Sequence, residues 1–563
     1  MNKPSRSWQM ALVPLLLSTP LPVVAQCSPA GGPVETARGI VFVDSNASGR
    51  LDAGETGLEG VAVSNGCEVV VTNSAGRYEI SIAPTDILMI SKPAGYAVPV
   101  DENNIPQFFY RHYPDGTPDV IQGTSVEWAF PVVEASGPLP AAVDFALIPD
   151  DSTDSTFKAH GFADTQARYE LSEDMLREEL INPLIDNPYG VDFGLTVGDV
   201  VYDNLEIYDR HKVMMGLMDI PQWYLPGNHD VNFASPNAYF ANETYKRHFG
   251  PTYYSFNHGD AHFVALNNVE YAGAGREFGD SSYRGYLTDN QLQWLRNDLA
   301  LVDREKLIVI MTHIPLIAEA SDGINAPATG PNTGNFDALL EILSPFTNIY
   351  GLAGHDTSNS WKTEVSHQHG WTGQPWIAHT LAEVRGNGWT SGPADLRGVR
   401  DAMMEDGNPN GFYVLHFEGL ALTPEFIPFP FGPDATQRLR ITLDPPLTQA
   451  EGGSVNRGRL ASDTKLVVNL FDGGKRDSVW YSLDDAEPEA LRYTVRTDPY
   501  VERIHAQYAD SDSAYGRAVR SSHIWETDLP NGLAPGIHQV IVTSEDEFGQ
   551  TQRGTFTFEL LAN

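Results

Sequence analysis

The residues Phe193-Gly194-Leu195-Thr196-Val197-Gly198-Asp199 form an apolar run that ends on a glycine and a carboxylate. Four other segments of the central region share this organisation, since a short apolar run is followed at once by a residue able to bind a metal ion. The runs cover residues 157–163, 193–197, 223–225, 307–311 and 349–353. If each run is a strand, the polar residues all lie at strand C-terminal ends, which is where open α/β sheets place their functional sites.

Helices are expected between these runs. Thr288 and Gln291 form a capping box ahead of Leu292, Leu295 and Leu299, which predicts that a helix begins there. Buried runs that alternate with amphipathic helices predict a layered α/β fold for the middle of the chain.

The residues that follow the five runs have side chains that bind metals. In chain order they are Asp164, Asp199, Asn228 with His229, His313 and His355. One such ending is weak evidence, because Asp, Asn and Gly often close strands, but turn chemistry alone does not explain five in succession. Carboxylates, imidazoles and an amide oxygen together favour a pair of borderline divalent cations. Such a pair clamps the attacking and leaving oxygens in a phosphoryl displacement.

Length and charge restrict the class of protein. The chain has 563 residues, which favours several domains, and its 41% of hydrophobic residues can fill ordinary cores. The net charge of −38 disfavours nucleic acid and anionic membrane surfaces as partners. A small phosphorylated substrate is compatible with this charge, because bound metal ions reverse the sign of the field locally. The sequence carries no signal for a protein partner.

The first 25 residues are typical of a signal peptide, with Lys3 and Arg6 ahead of an apolar run and Ala25 at the expected cut. Prolines interrupt the run, so a membrane-spanning helix is not expected. We therefore expect a periplasmic or secreted bacterial protein. Cys27 and Cys67 are the only cysteines, and in an exported chain they most simply form one disulfide; two unpaired thiols are the alternative.

Composition divides the mature chain into three parts. Residues 26–149 and 434–563 consist of short alternating runs typical of strands, and residues 157–425 carry the α/β pattern. The polar stretch 149–156 and the proline-rich stretch 424–433 are expected to connect them. We predict a signal peptide at 1–25, an N-terminal β domain, a central α/β domain and a C-terminal β-sandwich.

The central motifs resemble those of the calcineurin-like metallophosphoesterases, whose blocks read D-x-H, G-D-x-x-x-D, G-N-H-D/E, a lone His, and G-H-x-H. The matching segments here are residues 164–166, 198–203, 227–230, 313 and 354–357. Residues 404–412 and 522–525 also resemble blocks of a secreted bacterial subgroup with N- and C-terminal β domains. The resemblance implies a metallophosphoesterase-type layered α/β sandwich flanked by two β-sandwich-like domains.

The resemblance also implies roles for individual residues. Asp199 would bridge two metal ions, and Asp164 and Gln166 would hold the first. The second site would be completed by Asn228, His313 and His355. His229 would donate a proton or a hydrogen bond to the leaving oxygen, oriented by Asp230. A metal-bound hydroxide would attack the phosphorus in line.

Two positions depart from the pattern of the family. Gln166 stands where many members have His, and Thr357 stands where the second His of G-H-x-H belongs. The first site keeps Asp164 and Asp199, and by hypothesis the Gln166 oxygen or Asp356 adds a donor. Fewer imidazoles favour a harder ion such as Mn²⁺ or Mg²⁺, but the sequence does not distinguish Mn, Mg, Zn and Fe.

Three interpretations of the activity follow. The first is an exported metal-dependent phosphoesterase that hydrolyses a phosphate mono- or diester. The second is a pyrophosphatase that acts on a nucleotide-sugar or lipid-linked diphosphate, since this uses the same displacement. The third is a degenerate, non-catalytic binding or cell-surface module, with Thr357 as its sign. A single-metal enzyme is a further alternative.

Further residues in or near these loops are candidates for a substrate pocket. They are Asp203, Asn204, His379, Arg385 and Trp389. A loop cap explains the first two almost as well, and a packed aromatic turn explains the others equally well.

A second metal motif lies in the N-terminal part. Residues 44–55 match D-x-[DN]-x-[DNS]-G-x₅-E, a calcium-loop pattern in which a glycine makes the turn. The oxygen donors would be Asp44, Asn46, Ser48, the Arg50 carbonyl, Asp52 and Glu55. Without flanking helices the loop would hold a structural calcium ion; a polar hairpin with no ion is the alternative.

Overall fold

The computed structural model describes residues 34–118, 130–150, 152–318, 330–386, 388–429, 438–449 and 456–562. The predicted signal peptide and Cys27 lie outside these residues. Cys67 is buried and disulfide-bonded. Within the described part of the chain, no helix combines the length and apolar character needed to cross a membrane.

The described N-terminal part is built from strands. They are β1 (Glu35–Val43), β2 (Ala62–Ser64), β3 (Val69–Val71), β4 (Arg77–Ile82), β5 (Asp86–Ile90), β6 (Tyr96–Ala97), β7 (Phe109–His112) and β8 (Phe145–Pro149). Two four-stranded sheets result, in the orders β4-β1-β8-β6 and β3-β2-β5-β7. The alternating runs of this part therefore form strands, as the sequence predicts.

The middle part is a layered α/β sandwich. Its strands are β9 (Thr156–Phe162), β10 (Phe193–Val197), β11 (Gln222–Leu225), β12 (Tyr254–His258), β13 (Ala261–Ala265), β14 (Val269–Tyr271), β15 (Tyr283–Gly285), β16 (Leu307–Met311), β17 (Ile317–Ala318), β18 (Gly330–Pro331), β19 (Asn348–Ala353), β20 (Trp361–Val365), β21 (Trp376–Thr380), β22 (Gly411–Glu418) and β23 (Ala421–Pro428). Its helices are α1 (Glu170–Leu176), α2 (Asn182–Leu184), α3 (Tyr208–Gly216), α4 (Glu243–Phe249), α5 (Asp289–Leu299) and α6 (Phe336–Leu343).

Two main sheets carry the five predicted runs. One has the order β11-β10-β9-β22-β23 and the other the order β12-β13-β16-β19-β21-β20. Strands β9, β10 and β11 are mutually parallel, as are β13, β16, β19 and β21. Because parallel strands end at the same edge, the residues after β9, β10, β11, β16 and β19 are brought together.

Aromatic rings fill the space between the two sheets. Trp223 of the first sheet stacks on Phe256 of the second, with ring centroids 4.0 Å apart, and Phe256 stacks on Phe263 at 4.6 Å. All three rings are buried. This layer fixes the distance between the sheets, and with it the distance between the strand ends.

Helix α5 begins as the sequence predicts, but its cap differs from the predicted capping box. Thr288 accepts a hydrogen bond from the Gln291 backbone N–H, as an N-cap should. The Gln291 side chain bonds instead to the backbone of Asn267. The glutamine therefore ties α5 to the loop after β13.

The predicted proline-rich connector is half strand. Residues 424–428 belong to β23, which lies at the edge of its sheet, and residues 430–437 are outside the described part of the chain. Prolines are tolerated on an edge strand because an edge need not supply every N–H donor. The strand thus continues beyond the expected domain boundary at residue 425.

The C-terminal part consists of two sheets and one described helix, α7 (Pro499–Tyr508). Its strands are β24 (Leu439–Asp444), β25 (Thr448–Gln449), β26 (Arg457–Arg459), β27 (Lys465–Leu470), β28 (Ser478–Leu483), β29 (Glu489–Ala490), β30 (Arg492–Thr497), β31 (Arg520–Asp528), β32 (Gly536–Glu545) and β33 (Thr551–Leu560). The sheet orders are β24-β27-β31-β30 and β25-β26-β33-β32-β28-β29. A shared core that includes Leu466, Trp525 and Val540 joins them, which agrees with the predicted sandwich.

Buried polar pairs join this sandwich to the middle part. His523 Nε2 lies 2.7 Å from Asp406 Oδ2, and both side chains are fully buried. Lys362 Nζ lies 2.9 Å from Asp472 Oδ2. The two segments singled out in the sequence, 404–412 and 522–525, are therefore in contact.

The aromatic layer can be tested by Phe256→Ala. The substitution removes a ring between two sheets, and we expect the free energy of unfolding to fall by about 3–5 kcal/mol. Urea denaturation measures the loss. Ile537→Ala, at a position that is 79% exposed, is the control and should change stability by less than about 0.5 kcal/mol. A loss at Phe256 as small as that of the control would contradict the packing described.

Candidate metal centre

The strand ends bring three metal-binding side chains to one point. Asp199, His313 and His355 each offer a ligand atom, and these atoms lie within 4.8 Å of one another. Asp199 follows β10, His313 follows β16 and His355 follows β19. The parallel order of the strands therefore assembles the cluster.

Asn228, Asp164 and Gln166 join the same cluster. Asn228 Oδ1 lies 2.9 Å from His313 Nε2. Asp164 Oδ2 accepts a hydrogen bond of 2.8 Å from the His355 backbone N–H. The Gln166 side-chain amide donates to Asp199 Oδ2. All six residues predicted to hold metal are thus connected by direct contacts.

His313 is oriented as a metal ligand. Its Nδ1 lies 3.0 Å from the carbonyl oxygen of Val197, which can only accept, so Nδ1 carries the proton. Nε2 then presents a lone pair. It faces the Asn228 amide oxygen and, at 3.2 Å, Asp199 Oδ1. Acceptor atoms that face each other in a buried site favour a cation between them. A backbone carbonyl that accepts a hydrogen bond from the other ring nitrogen commonly orients a ligand histidine.

The backbone is strained where the ligands leave their strands. Asp164, Asp199 and His355 have φ values of 50°, 48° and 76°, in the left-handed region that non-glycine residues rarely adopt. Such conformations cost of order 1–3 kcal/mol each and are concentrated at functional sites. The left-handed turns aim successive side chains inward at one edge of the sheets.

Glycines of the motifs leave room for ligand side chains. A Cβ on Gly227 would lie 2.0 Å from Asp199 Oδ1, and one on Gly354 would lie 2.4 Å from Asp164 Oδ2. No side chain fits at either position. Glycine is therefore required before Asn228 and before His355, because the backbone at these positions passes close to the side chains of Asp199 and Asp164.

Burial and charge shift the acidities of the cluster in opposite directions. Burial raises the pKa of Asp164 well above its usual value, and nearby carboxylates raise it further. Burial also acts to raise the pKa of Asp199, but the interactions with the neighbouring imidazoles, that of His313 first, outweigh it and hold that pKa below its usual value. Burial is the largest cause that lowers the pKa of His355 to about 3. His355 is therefore neutral at ordinary pH, as a ligand must be.

His229 is held by a different carboxylate from the one expected. Its Nδ1 lies 2.6 Å from Asp203 Oδ1, and its ring stacks on Tyr202 with centroids 4.1 Å apart. Burial opposes the charged imidazole, but Asp199 and Asp203 raise its pKa overall. Its Nε2 points towards the cluster, 4.0 Å from Asp199 Oδ2. Asp203, predicted as a pocket residue, therefore orients His229.

Asp230 supports the backbone instead of His229. Its carboxylate accepts hydrogen bonds from the N–H groups of Gly227 and Val200 at 2.8 and 3.0 Å, and from the Tyr208 hydroxyl at 2.7 Å. The sequence analysis expected Asp230 to orient His229. The structure differs, because the Asp230 side chain points towards the loop after β10. Asp230 thus joins the loops that carry Asp199 and Asn228.

Three predicted pocket residues have structural contacts. The Asn204 side chain donates to the Arg168 carbonyl at 3.1 Å. His379 is buried, with Nε2 3.1 Å from Asp472 in the C-terminal part. Trp389 lies in a buried core and donates to Glu179 at 2.6 Å. His379 and Trp389 therefore make the kind of contacts that the alternative, a packed aromatic turn, describes, and their role as pocket residues stays a prediction.

Only some of the residues predicted for the first metal site have an oxygen atom that is free to bind a cation. Asp164 Oδ1 and Gln166 Oε1 are buried and have no hydrogen-bond partner. Asp356 Oδ1 accepts from the N–H groups of Ser358 and Asn359, so this oxygen closes a turn. The two oxygens of Asp164 and Gln166 are available to a cation.

Several further residues lie beside the cluster, and sequence reasoning missed all of them except Arg385. Glu383 is fully buried, and neither of its carboxylate oxygens accepts a hydrogen bond. The Tyr283 ring lies edge-on to His355 at 5.8 Å. The guanidinium groups of Arg168 and Arg385 each lie 5.0 Å from the centre of the Tyr202 ring. Glu383 follows β21, a sixth apolar run that ends at this edge, and the strand-end pattern extended to that run would have found it.

Three family models match the chain. They describe the N-terminal part of calcineurin-like phosphoesterases over residues 45–122, the calcineurin-like phosphoesterase itself over 159–356, and the C-terminal part of the same proteins over 379–552. The chain belongs to the calcineurin-like phosphoesterases. It has their layered α/β fold.

A purple acid phosphatase from the seeds of yellow lupin (Lupinus luteus) is similar in structure at 13% identity. The match covers 70% of this chain and 66% of that chain, just under two thirds, with a TM-score of 0.34. At this level the likeness carries no argument about function. A search among curated protein sequences finds no match.

The close approach at Gly227 is tested by Gly227→Ala. The added methyl group would displace the Asp199 carboxylate, and we expect the affinity for Mn²⁺ to fall at least about tenfold, or about 1.4 kcal/mol. Isothermal titration calorimetry measures it. Gly474→Ala, where an added Cβ would meet no atom within 4 Å, is the matched control. Unchanged Mn²⁺ affinity in Gly227→Ala would contradict the assignment of Asp199 as a ligand.

Proposed function

We propose that this chain hydrolyses a phosphate mono- or diester with the help of two divalent metal ions. The observation that carries the proposal is the convergence of Asp199, His313 and His355 within 4.8 Å, in a site with further unpartnered acceptor oxygens. Divalent ions bound there would supply Lewis-acid polarisation of the phosphate and an acidified water as nucleophile. The residues present fit such ions, since they offer carboxylate, imidazole and amide donors.

The ligand residues divide between two positions. Asn228 and His355 contact His313, which contacts Asp199 Oδ1, whereas Gln166 contacts Asp199 Oδ2. Asp199 is in contact with both groups, which supports its role as the bridge. This division follows the roles implied by the family motifs.

His229 is the proposed donor to the leaving oxygen. It is the more open member of the site, with 23% of its side chain exposed, and Asp203 holds its Nδ1. Because Asp203 and Asp199 stabilise the protonated ring, His229 can keep a proton on Nε2 until an oxygen needs it. Arg168 and Arg385, next to the Tyr202 ring that stacks on His229, supply positive charge for a phosphate in an acidic protein.

Export is part of the proposal. The charged and apolar composition of residues 1–25 supports a signal peptide, and therefore a periplasmic or secreted location. We propose domain bounds of 26–149, 157–425 and 434–563. The matched family segments, 45–122, 159–356 and 379–552, support three parts, although the last begins inside the central one.

The activity is tested with purified protein and chromogenic phosphate mono- and diesters in the presence of Mn²⁺, Mg²⁺, Zn²⁺ or Ca²⁺. We expect metal-dependent hydrolysis that a chelator abolishes, and we expect Asp199→Asn to lower kcat/KM by about a hundredfold or more, because the bridging charge is lost. Equal rates in wild type and Asp199→Asn would contradict the metal mechanism. No hydrolysis with any ion would favour the non-catalytic binding module instead.

We also propose a structural calcium ion in the loop of residues 44–55. Asp44 is buried, and its carboxylate accepts from the N–H groups of Ser48 and Gly49 at 3.0 and 2.7 Å. Ser48 Oγ lies 2.8 Å from Asp52 Oδ2, and Glu55 accepts from the Asp52 N–H at 2.8 Å. These contacts draw the donor oxygens inward, in the arrangement that a calcium loop uses.

Calcium binding is tested by thermal unfolding. We expect Ca²⁺ to raise the Tm of the wild type, since a ligand at about 100 times its Kd adds about 2.7 kcal/mol, and we expect Glu55→Gln to abolish the rise. Glu59→Gln, at an exposed position just beyond the loop, is the control. A Tm that does not respond to Ca²⁺ in the wild type would show that the loop is a hairpin without an ion.

A further inference from the structure

A segment after β21 runs along the end of β9. The Val384 N–H donates to the Ala163 carbonyl at 2.9 Å, and the Arg385 N–H donates to the Asp164 carbonyl at 3.3 Å. These bonds place Glu383 beside the strand end that carries Asp164. The segment is therefore part of the wall of the candidate metal centre.

Glu383 is a buried carboxylate without hydrogen-bond donors. Its side chain is 0% exposed, and both oxygens lack a hydrogen-bond partner. Arg385 offers the paired charge, with Nε 3.9 Å from Oε2. Glu179 is also buried, but its Oε2 accepts from Trp389 and Asn410 at 2.6 and 2.7 Å. Burying a carboxylate without hydrogen-bond donors is costly even beside a guanidinium, so Glu383 needs an explanation that Glu179 does not.

The neighbours of Glu383 increase the need for a cation. Its negative charge acts directly on Asp164, and the charges of Asp199 and Asp356 act on it in turn. Asp164 Oδ1 and Gln166 Oε1, on the same strand end, also lack hydrogen-bond partners. Four buried acceptor oxygens without hydrogen-bond partners therefore lie on this segment and on the strand end beside it, and among the described residues Arg385 is the cation found against Glu383. A divalent cation would supply the further positive charge that such oxygens favour.

We propose that Glu383 is a ligand of the first metal ion and replaces the imidazole that is absent at Thr357. The inference rests on the metal-dependent function proposed above. With Asp164, Asp199, Gln166 and Glu383 the first site is made of oxygen donors alone. The second site keeps imidazoles from His313 and His355. Oxygen donors select a hard ion, so the first site takes Mn²⁺ or Mg²⁺ in preference to Zn²⁺.

The experiment measures bound metal in the full chain after treatment with a chelator. Titration with Mn²⁺ should show two sites in the wild type. In Glu383→Gln one site should keep its affinity and the other should weaken at least about tenfold. Glu179→Gln, a second buried glutamate with its own donors, is the matched control and should bind Mn²⁺ as the wild type does. Two unchanged Mn²⁺ sites in Glu383→Gln would overturn the proposal.

Two further measurements separate a ligand from a structural residue. Metal-free Glu383→Gln should unfold at the wild-type Tm or above, because it removes a buried carboxylate without donors; a lower Tm or failure to fold would contradict the proposal. Adding Thr357→His to Glu383→Gln should restore the first site, now with a preference for Zn²⁺ over Mn²⁺. No recovery of metal binding in the double variant would count against Glu383 as the replacement of that imidazole.

The metal-binding result for Glu383 does not depend on whether the protein hydrolyses a phosphate ester. If the wild type binds two Mn²⁺ ions and hydrolyses no phosphate ester, the proposed function fails and the Glu383 assignment stands. If the wild type is active and Glu383→Gln keeps both Mn²⁺ sites, the assignment fails and the proposed function stands.

Discussion

The structure depends on one electrostatic constraint, which is the convergence of hydrogen-bond acceptor atoms at the ends of the parallel strands. His313 Nε2 faces an amide oxygen and a carboxylate, since its Nδ1 proton is committed to the Val197 carbonyl. Nearby carboxylate and amide oxygens have no hydrogen-bond partners. Such an arrangement is unfavourable in a protein alone and favourable around cations. The left-handed turns and the glycines of the motifs serve this one arrangement.

The rest of the fold holds the acceptors in place against their repulsion. Stacked rings between the sheets fix the strand ends, and Asp230 ties the two loops that follow β10 and β11. The C-terminal sandwich contributes from outside, because His523 holds Asp406 in the segment before β22. The Gly411 N–H at the start of β22 donates to the Glu383 carbonyl at 3.1 Å. The flanking part thus stabilises the wall of the site as well as its own core.

The sequence predicted the framework of the site because strand ends and ligand types are local properties. The β10 and β16 runs agree with the structure at both ends, and helix α5 begins at Thr288 as predicted. What could not be predicted depends on contacts between distant segments. Asp203 and Asp230 are both carboxylates near His229, and only the path of the loop decides which one meets the ring. His379 and Trp389 are packed against partners far away in the sequence, and Glu383 belongs to a strand end that lacks a family motif.

The most direct measurement is anomalous diffraction at the manganese edge from crystals soaked in Mn²⁺. The account predicts two peaks about 3.5–4 Å apart, with Asp199 between them. One peak should be bound by Asp164 and Glu383, and the other by Asn228, His313 and His355. The absence of any peak at this edge of the sheets, or a peak coordinated by other residues, would contradict the account.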